Sequence, residues 1–172
     1  PESMDKTVYE VLTDSNVMLS RIVQPTSMDH LMVAPCNVLL SGAEAALAEM
    51  NDREYVLRNR FATVEPFFDY CIVDCSPSLS LLTLNALVAA SDVIIPVQTH
   101  YYAIEGLKQV LETLDIVQHR YNPGLTIRGI LLTLAERRTL LSRDVQRQMR
   151  DYFGSLVLET VIHRSVRLAE AP

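Results

Sequence analysis

The rhythm of hydrophobic and polar positions changes near residue 70. Upstream, short amphipathic pieces over 7–12 and 17–23 are separated by breakers, and Leu31-Met32-Val33-Ala34 before Pro35 predicts a short strand. Ser41 followed by Gly42-Ala43-Glu44 is an S-x-x-E capping box, which predicts an alanine-rich helix running toward Met50. A second helix is expected over 53–64. Downstream, Cys71-Ile72-Val73-Asp74, Val93-Ile94-Ile95-Pro96-Val97 and residues 127–133 are nearly continuous apolar runs, the pattern of parallel strands covered on both faces. Residues 79–90, 104–121 and 142–153 carry helical periodicity. Strand, helix, strand, helix in this order predicts right-handed crossovers and a doubly wound, mostly parallel α/β sheet with helices on both faces, in a single domain over 1–172.

Length and charge fit that picture. The chain has 172 residues, 49% hydrophobic, with a net charge of −6, which suits one α/β-sized unit and is too modest for disorder. The longest apolar stretch, 79–90, is interrupted by Ser80, Thr83 and Asn85 and is far shorter than the roughly 20 residues of a spanning helix. No membrane role is expected. Three cysteines cannot all pair within one chain, so a reducing cytoplasm is expected, with Cys71 and Cys75 as small buried hydrophobes. The Cys-x3-Cys spacing has no second Cys or His pair beside it, and zinc is not expected. A start at Pro1 without an initiator Met predicts an internal part of a longer protein, incomplete at both ends.

In an open α/β sheet, ligands bind outside the carboxyl ends of the strands. Asp74 follows four apolar positions at one such end, the pattern of a strand that presents a carboxylate to a nucleotide-bound Mg²⁺, and Cys75-Ser76-Pro77-Ser78 is a loop placed to sense a γ-phosphate. An Asp that merely ends a strand and caps the next helix fits the same residues. The phosphate cradle is not among these residues: G-x-x-x-x-G-K-[ST] and G-x-G-x-x-G are both absent, and the one matching glycine spacing, Gly124 to Gly129, leads into Ile130-Leu131 within a predicted strand. This chain by itself is therefore expected not to hydrolyse ATP. No Ser, His and Asp set has a nucleophile's spacing; His163 after Val161-Ile162 is as well explained as a structural residue.

Charge is unevenly spread. Between Arg137 and Arg167 seven arginines face three acidic residues, a net of +4, while the remainder carries −10. Arg143, Arg147 and Arg150 fall at i, i+4, i+7 of the helix predicted over 142–153, with Val145, Met149 and Tyr152 nearly opposite. Such a stripe suits either phosphate backbones or a plain solvated face.

Several ordered blocks resemble the ParA/Soj-type partition ATPases of the deviant P-loop class. They are Asp69 to Leu79, Leu82-Thr83-Leu84-Asn85-Ala86-Leu87, Val93 to Gln98, Tyr101 to Leu107, Gly129 to Thr133, and Val166-Arg167-Leu168-Ala169-Glu170-Ala171-Pro172. The ending Arg-Leu-Ala-Glu-Ala-Pro is more similar to the chromosome- and plasmid-partition branch than to the MinD branch. The resemblance implies a bacterial, cytoplasmic, nucleoid-associated ATPase that uses ATP and Mg, forms a homodimer around ATP, binds non-specific DNA in that state, and is stimulated by a ParB-type centromere-binding protein. It further implies that Asp74 is the catalytic Walker B aspartate, holding Mg through water. Ser76 and Pro77 would lie in the second switch loop, Thr133, His163 and Ser165 on the nucleotide side, and Arg138 and Arg167 on DNA, with Arg143, Arg147 and Arg150 adding to that cationic surface. The chain departs from the family's pattern at Ser76 and His163, where Pro is usual, at Ser165, where Asn is usual, and at Glu136, where Asp is usual. The family's P-loop and first switch belong upstream of Pro1. A non-catalytic DNA- or partner-binding module without a P-loop is the alternative expectation.

Overall fold

The computed structural model describes residues 6–76, 78–100, 102–136 and 138–170, with residue 168 through its backbone only. Two compact units divide the chain, Pro1–Ala90 and Ser91–Pro172.

The first unit is built from short helices. Helix α1 (Val8–Thr13) starts at a complete capping box, in which the Thr7 hydroxyl accepts from Tyr9 N and the Glu10 carboxylate accepts from Thr7 N at 2.6 Å. Strands β1 (Gln24–Pro25) and β2 (Met32–Val33) form a two-stranded antiparallel ribbon. Helices α2 (Ala43–Ala48), α3 (Val56–Phe61) and α4 (Leu81–Ala89) follow. Their apolar faces, together with α1, enclose one cluster around Leu12, Leu47, Leu57 and Ala86, and a second gathers Val11, Val17, Leu19, Ile22 and Val64.

Five expectations for this unit are corrected. The 17–23 piece is only a 3-10 turn, Leu19–Arg21, and the helix expected over 53–64 is confined to α3. The Ser41 capping box does not form: the Ser41 hydroxyl donates to Val38 O within a 3-10 turn, and Gly42 stands at the N-cap of α2 without a side-chain bond. Residues 71–74 are not a strand, because apolar character supplies burial but a strand also needs a neighbour for its hydrogen-bond ladder, and no described residue pairs with them. Ile72 is 92% exposed and Tyr70 90%. Cys71 and Cys75 are accordingly exposed rather than buried.

The second unit is a parallel sheet in the order β3 (Asp92–Gln98), β4 (Thr126–Ala135), β5 (Val157–His163), each neighbour pair joined by a helix, α5 (Ala103–Arg120) and α6 (Leu140–Phe153). A short helix α7 (Val166–Ala169) ends it. Central β4 is enclosed, with Gly129, Ile130 and Leu132 buried and Leu131 and Thr133 half-buried. In β3 burial alternates instead, Ile95 inward and Ile94 and Pro96 outward, so the expectation of cover on both faces holds for the middle strand and not for the edge. Gly129 is required by close approach: a Cβ there would lie 2.6 Å from Leu158 Cδ2 on β5 and 3.1 Å from Leu156 O in the 3-10 turn before it.

Candidate functional site at the carboxyl ends of the strands

Parallel strands point their carboxyl ends the same way, so β3, β4 and β5 deliver Thr99, Ala135 and His163 to one edge of the second unit. Gln98 pairs with Thr133 and Ala135 with His163. His163 Nδ1–H donates to Ala135 O at 3.2 Å, and Arg164 N donates to the same carbonyl at 3.1 Å. The Arg164 guanidinium then pairs with the Glu136 carboxylate at 3.0 Å. Ser165 is the N-cap of α7, half-buried and with no side-chain capping bond. Thr133, His163 and Ser165 therefore share this edge.

Two features of the edge were not expected. Leu134 has φ +49°, in the left-handed region that a branched side chain avoids, where the β4–β5 register slips between Leu132 and Ala135. Ser142, 3% exposed, and Thr99, 6% exposed, share a buried hydroxyl–hydroxyl bond of 2.9 Å, and Glu136 N donates to Ser142 Oγ at 3.1 Å. Nothing in the pattern of polar positions marks a serine in the first turn of an arginine-rich helix as buried.

The expected arginines fall into three settings. Arg138 and Arg167 are exposed, in the turn before α6 and on α7 respectively. Arg143 and Arg147 are exposed on α6, Arg147 pairing with Asp144 at 2.8 Å. Arg150 is half-buried and donates to Leu158 O and Glu159 O, so its guanidinium is turned onto β5. The apolar face of α6 also differs in detail: Ser142, Val145 and Met149 are buried, while Tyr152 is 60% exposed, with Lys108 Nζ 4.6 Å from its ring centroid. Arg137, Ala171 and Pro172 lie outside the described residues, as does Pro77.

In the first unit, Asp74 ends the apolar run and is exposed. The Ser76 and Ser78 hydroxyls lie 2.7 Å apart, and Ser78 O accepts from the Thr83 hydroxyl at 2.7 Å, which ties the loop to the first turn of α4. The Cys75 thiol is held above its ordinary value by the chain shielding its sulfur and then by the Asp74 charge; shielding alone raises Cys71. Neither is an activated thiolate. The carboxylate of Asp74 and the Ser76 hydroxyl are hard oxygen donors of the kind Mg²⁺ and its water shell take. Among the described residues no cluster of three or more His, Cys, Asp and Glu side chains gathers to hold a metal directly.

This parallel sheet flanked on both sides by helices is the α/β architecture of P-loop NTPases of the ParA/MinD kind. Among solved structures it superimposes at a TM-score of 0.87 on cobyrinic acid a,c-diamide synthase from Mycobacterium smegmatis with bound ADP and magnesium, 40% identical over 96% of this chain and 66% of that one. The family model described as AAA domain matches residues 1–127. The chain is 41% identical to the chromosome partitioning protein ParA of Myxococcus xanthus over 171 residues, covering 99% of this chain and 60% of that protein. It is 43% identical to the sporulation initiation inhibitor protein Soj of Bacillus subtilis over 169 residues, 98% of this chain and 66% of that protein. The chain belongs to the ParA/Soj family of partition ATPases. It spans less than two thirds of the length of these curated relatives. No helix among the described residues is long and apolar enough to cross a membrane.

Proposed function

We propose that this chain is the central and carboxyl-terminal part of the nucleotide-binding domain of a DNA-partition ATPase, active in chromosome or plasmid segregation. In the full-length protein it dimerises around ATP and Mg²⁺, binds DNA without reading sequence, and releases it after hydrolysis stimulated by a ParB-type centromere-binding protein. The observation that carries this reading is the 41–43% identity to ParA and Soj over nearly the whole chain, in which Arg138 and Arg167 remain exposed beside the strand ends that carry Thr133, His163 and Ser165.

Bound nucleotide supplies the phosphoanhydride bond that is hydrolysed and the Mg²⁺ that neutralises its charge. Asp74 would hold water on that cation, and the Ser76–Ser78 loop, anchored by Thr83, would sense the terminal phosphate. His163, held by its Nδ1–H bond to Ala135 O, presents Nε2 on the nucleotide side, with Ser165 and Thr133 beside it. The phosphate cradle has to come from residues other than these, since none of the five glycines opens a P-loop motif. Arg138 and Arg167, backed by Arg143 and Arg147, meet the phosphate backbone. Arg150, bonded to β5 carbonyls, contributes charge rather than a direct contact.

The test is binding of the ATP-loaded full-length protein to random-sequence duplex DNA over a salt series. Arg138→Ala and Arg167→Ala each weaken binding and each lower the slope of log K against log salt by about 1, one phosphate contact apiece. Unchanged affinity and slope in both variants overturn the assignment. The absence of a P-loop motif from these residues favours one other reading, a non-catalytic module that binds DNA or a partner through the same arginines. An in-frame glycine-rich P-loop in the coding sequence upstream removes it.

A further inference from the structure

Resting on the reading in which Arg138 and Arg167 meet DNA, we propose that Ser142 is the positioning residue of that arginine pair. Its buried hydroxyl fixes the segment that carries Arg138 against the segment that carries Arg167, so that both engage one phosphate track together.

A serine hydroxyl has one hydrogen to give and two lone pairs to accept with. At Ser142 all three are engaged. Thr99 Oγ1 lies at 2.9 Å, Glu136 N donates at 3.1 Å, and Gln146 Nε2 donates at 3.3 Å, so the Ser142 hydrogen goes to Thr99. The end of β3, the exit from β4 and the first turns of α6 thus meet at one oxygen. Helix capping does not account for this serine, because the N-cap of α6 is Thr139 and makes no side-chain bond.

From Ser142 the connection runs on to α7 without a gap. Glu136 is held by its N–H to Ser142 and by its carboxylate to the Arg164 guanidinium. Arg164 N and His163 Nδ1–H both donate to Ala135 O, and Arg164 leads directly through Ser165 into the helix of Arg167. Arg138 stands two residues beyond Glu136. The Glu136–Arg164 pair is exposed, and an exposed ion pair alone defines a geometry weakly. The Ser142–Thr99 bond lies in the low-dielectric interior, where a hydrogen bond is stronger and a missing partner is costly, so the interior end of the chain of bonds is the fixed one. Leu134, strained at φ +49° just before this junction, persists only because its surroundings over-determine it. Two arginines held at a fixed spacing reinforce each other on a regular phosphate track, whereas two that move independently do not.

The experiment uses the full-length protein loaded with ATP and random-sequence duplex DNA, with affinity read over a salt series and the melting temperature beside it. Ser142→Ala lowers affinity about tenfold and the salt slope by about 1, as if one phosphate contact were lost although both arginines remain. Ser142→Thr, which keeps the hydroxyl, restores both. Because Ser142→Ala strands the Thr99 hydroxyl, the pair Thr99→Val with Ser142→Ala removes both buried hydroxyls at similar volume and still frees Glu136 N–H; it shows the same loss of slope with a smaller drop in melting temperature than Ser142→Ala alone. Wild-type affinity and slope in Ser142→Ala and in the pair, while Arg138→Ala and Arg167→Ala weaken binding, overturn the positioning role alone. Wild-type binding in the two arginine variants overturns the DNA reading and this inference with it.

Discussion

Glu10 sits in the first turn of α1 with its carboxylate bonded to both the N–H and the hydroxyl of Thr7, and these bonds hold its carboxyl below the ordinary 4.5. A lowered folded-state value means that folding favours the ionised form, so this stabilisation is complete above 4.5 and is lost as pH falls through the folded value. Glu10→Ala is therefore less stable than the parent at neutral pH, and the gap closes on acidification; urea unfolding of both proteins across that range is the check. A gap that does not change with pH contradicts it. The same residue pattern stands in two places with opposite outcomes, and only the one at Ser41 was read from the sequence. T-x-x-E at Thr7 forms its box, while S-x-x-E at Ser41 does not, because the Ser41 hydroxyl is turned back onto Val38 O within the 3-10 turn over Val38–Gly42. Pattern names the groups able to bond, and the backbone path decides which are within reach. For the same reason Ser142, the most connected hydroxyl of the strand-end edge, was illegible: a polar residue beside arginines reads as surface until β3 is known to end against it.

At the scale of elements, the long periodic segments were legible almost to the residue. Helix α5 was expected over 104–121 and runs Ala103–Arg120, and β3 and β4 contain the runs that announced them. Their signals are strong because eighteen residues of helical period, or a run of β-branched residues between helices, admit one reading. The run over 71–74 has equal apolar strength and is no strand, since pairing is a property of two segments and a sequence window holds one. Short helices obey a similar dependence on neighbours. Helices α3 and α4 are held together by Asn85, 1% exposed, whose amide donates to Arg53 O and Leu81 O and whose oxygen accepts from Leu57 N. Asn85→Leu removes all three bonds and leaves Leu57 N–H buried without a partner, at a cost of about 1–3 kcal/mol. Denaturant unfolding reads this as a lower midpoint with an unchanged slope; a shift within experimental error shows that Asn85 does not hold the helices.

Over the whole molecule, charge and identity were legible and the nucleotide site only in part. The excess of arginine between Arg137 and Arg167 is visible in the sequence, and every one of those residues belongs to the second unit, together with Thr133, His163 and Ser165. Asp74 and the Ser76–Ser78 loop belong to the first. Candidate residues so far apart in the chain are recognised from blocks that recur in relatives and not from any one local pattern, which is why the resemblance to ParA and Soj carried more than Asp74 could alone. The central claim, that these residues are part of a partition ATPase, meets its most direct test in ATP turnover by the full-length protein, alone, with DNA, and with DNA and its centromere-binding partner. The account predicts slow turnover that rises when DNA and partner are both present and is abolished in Asp74→Ala. Absence of hydrolysis under all three conditions, or turnover unaffected by Asp74→Ala, contradicts it.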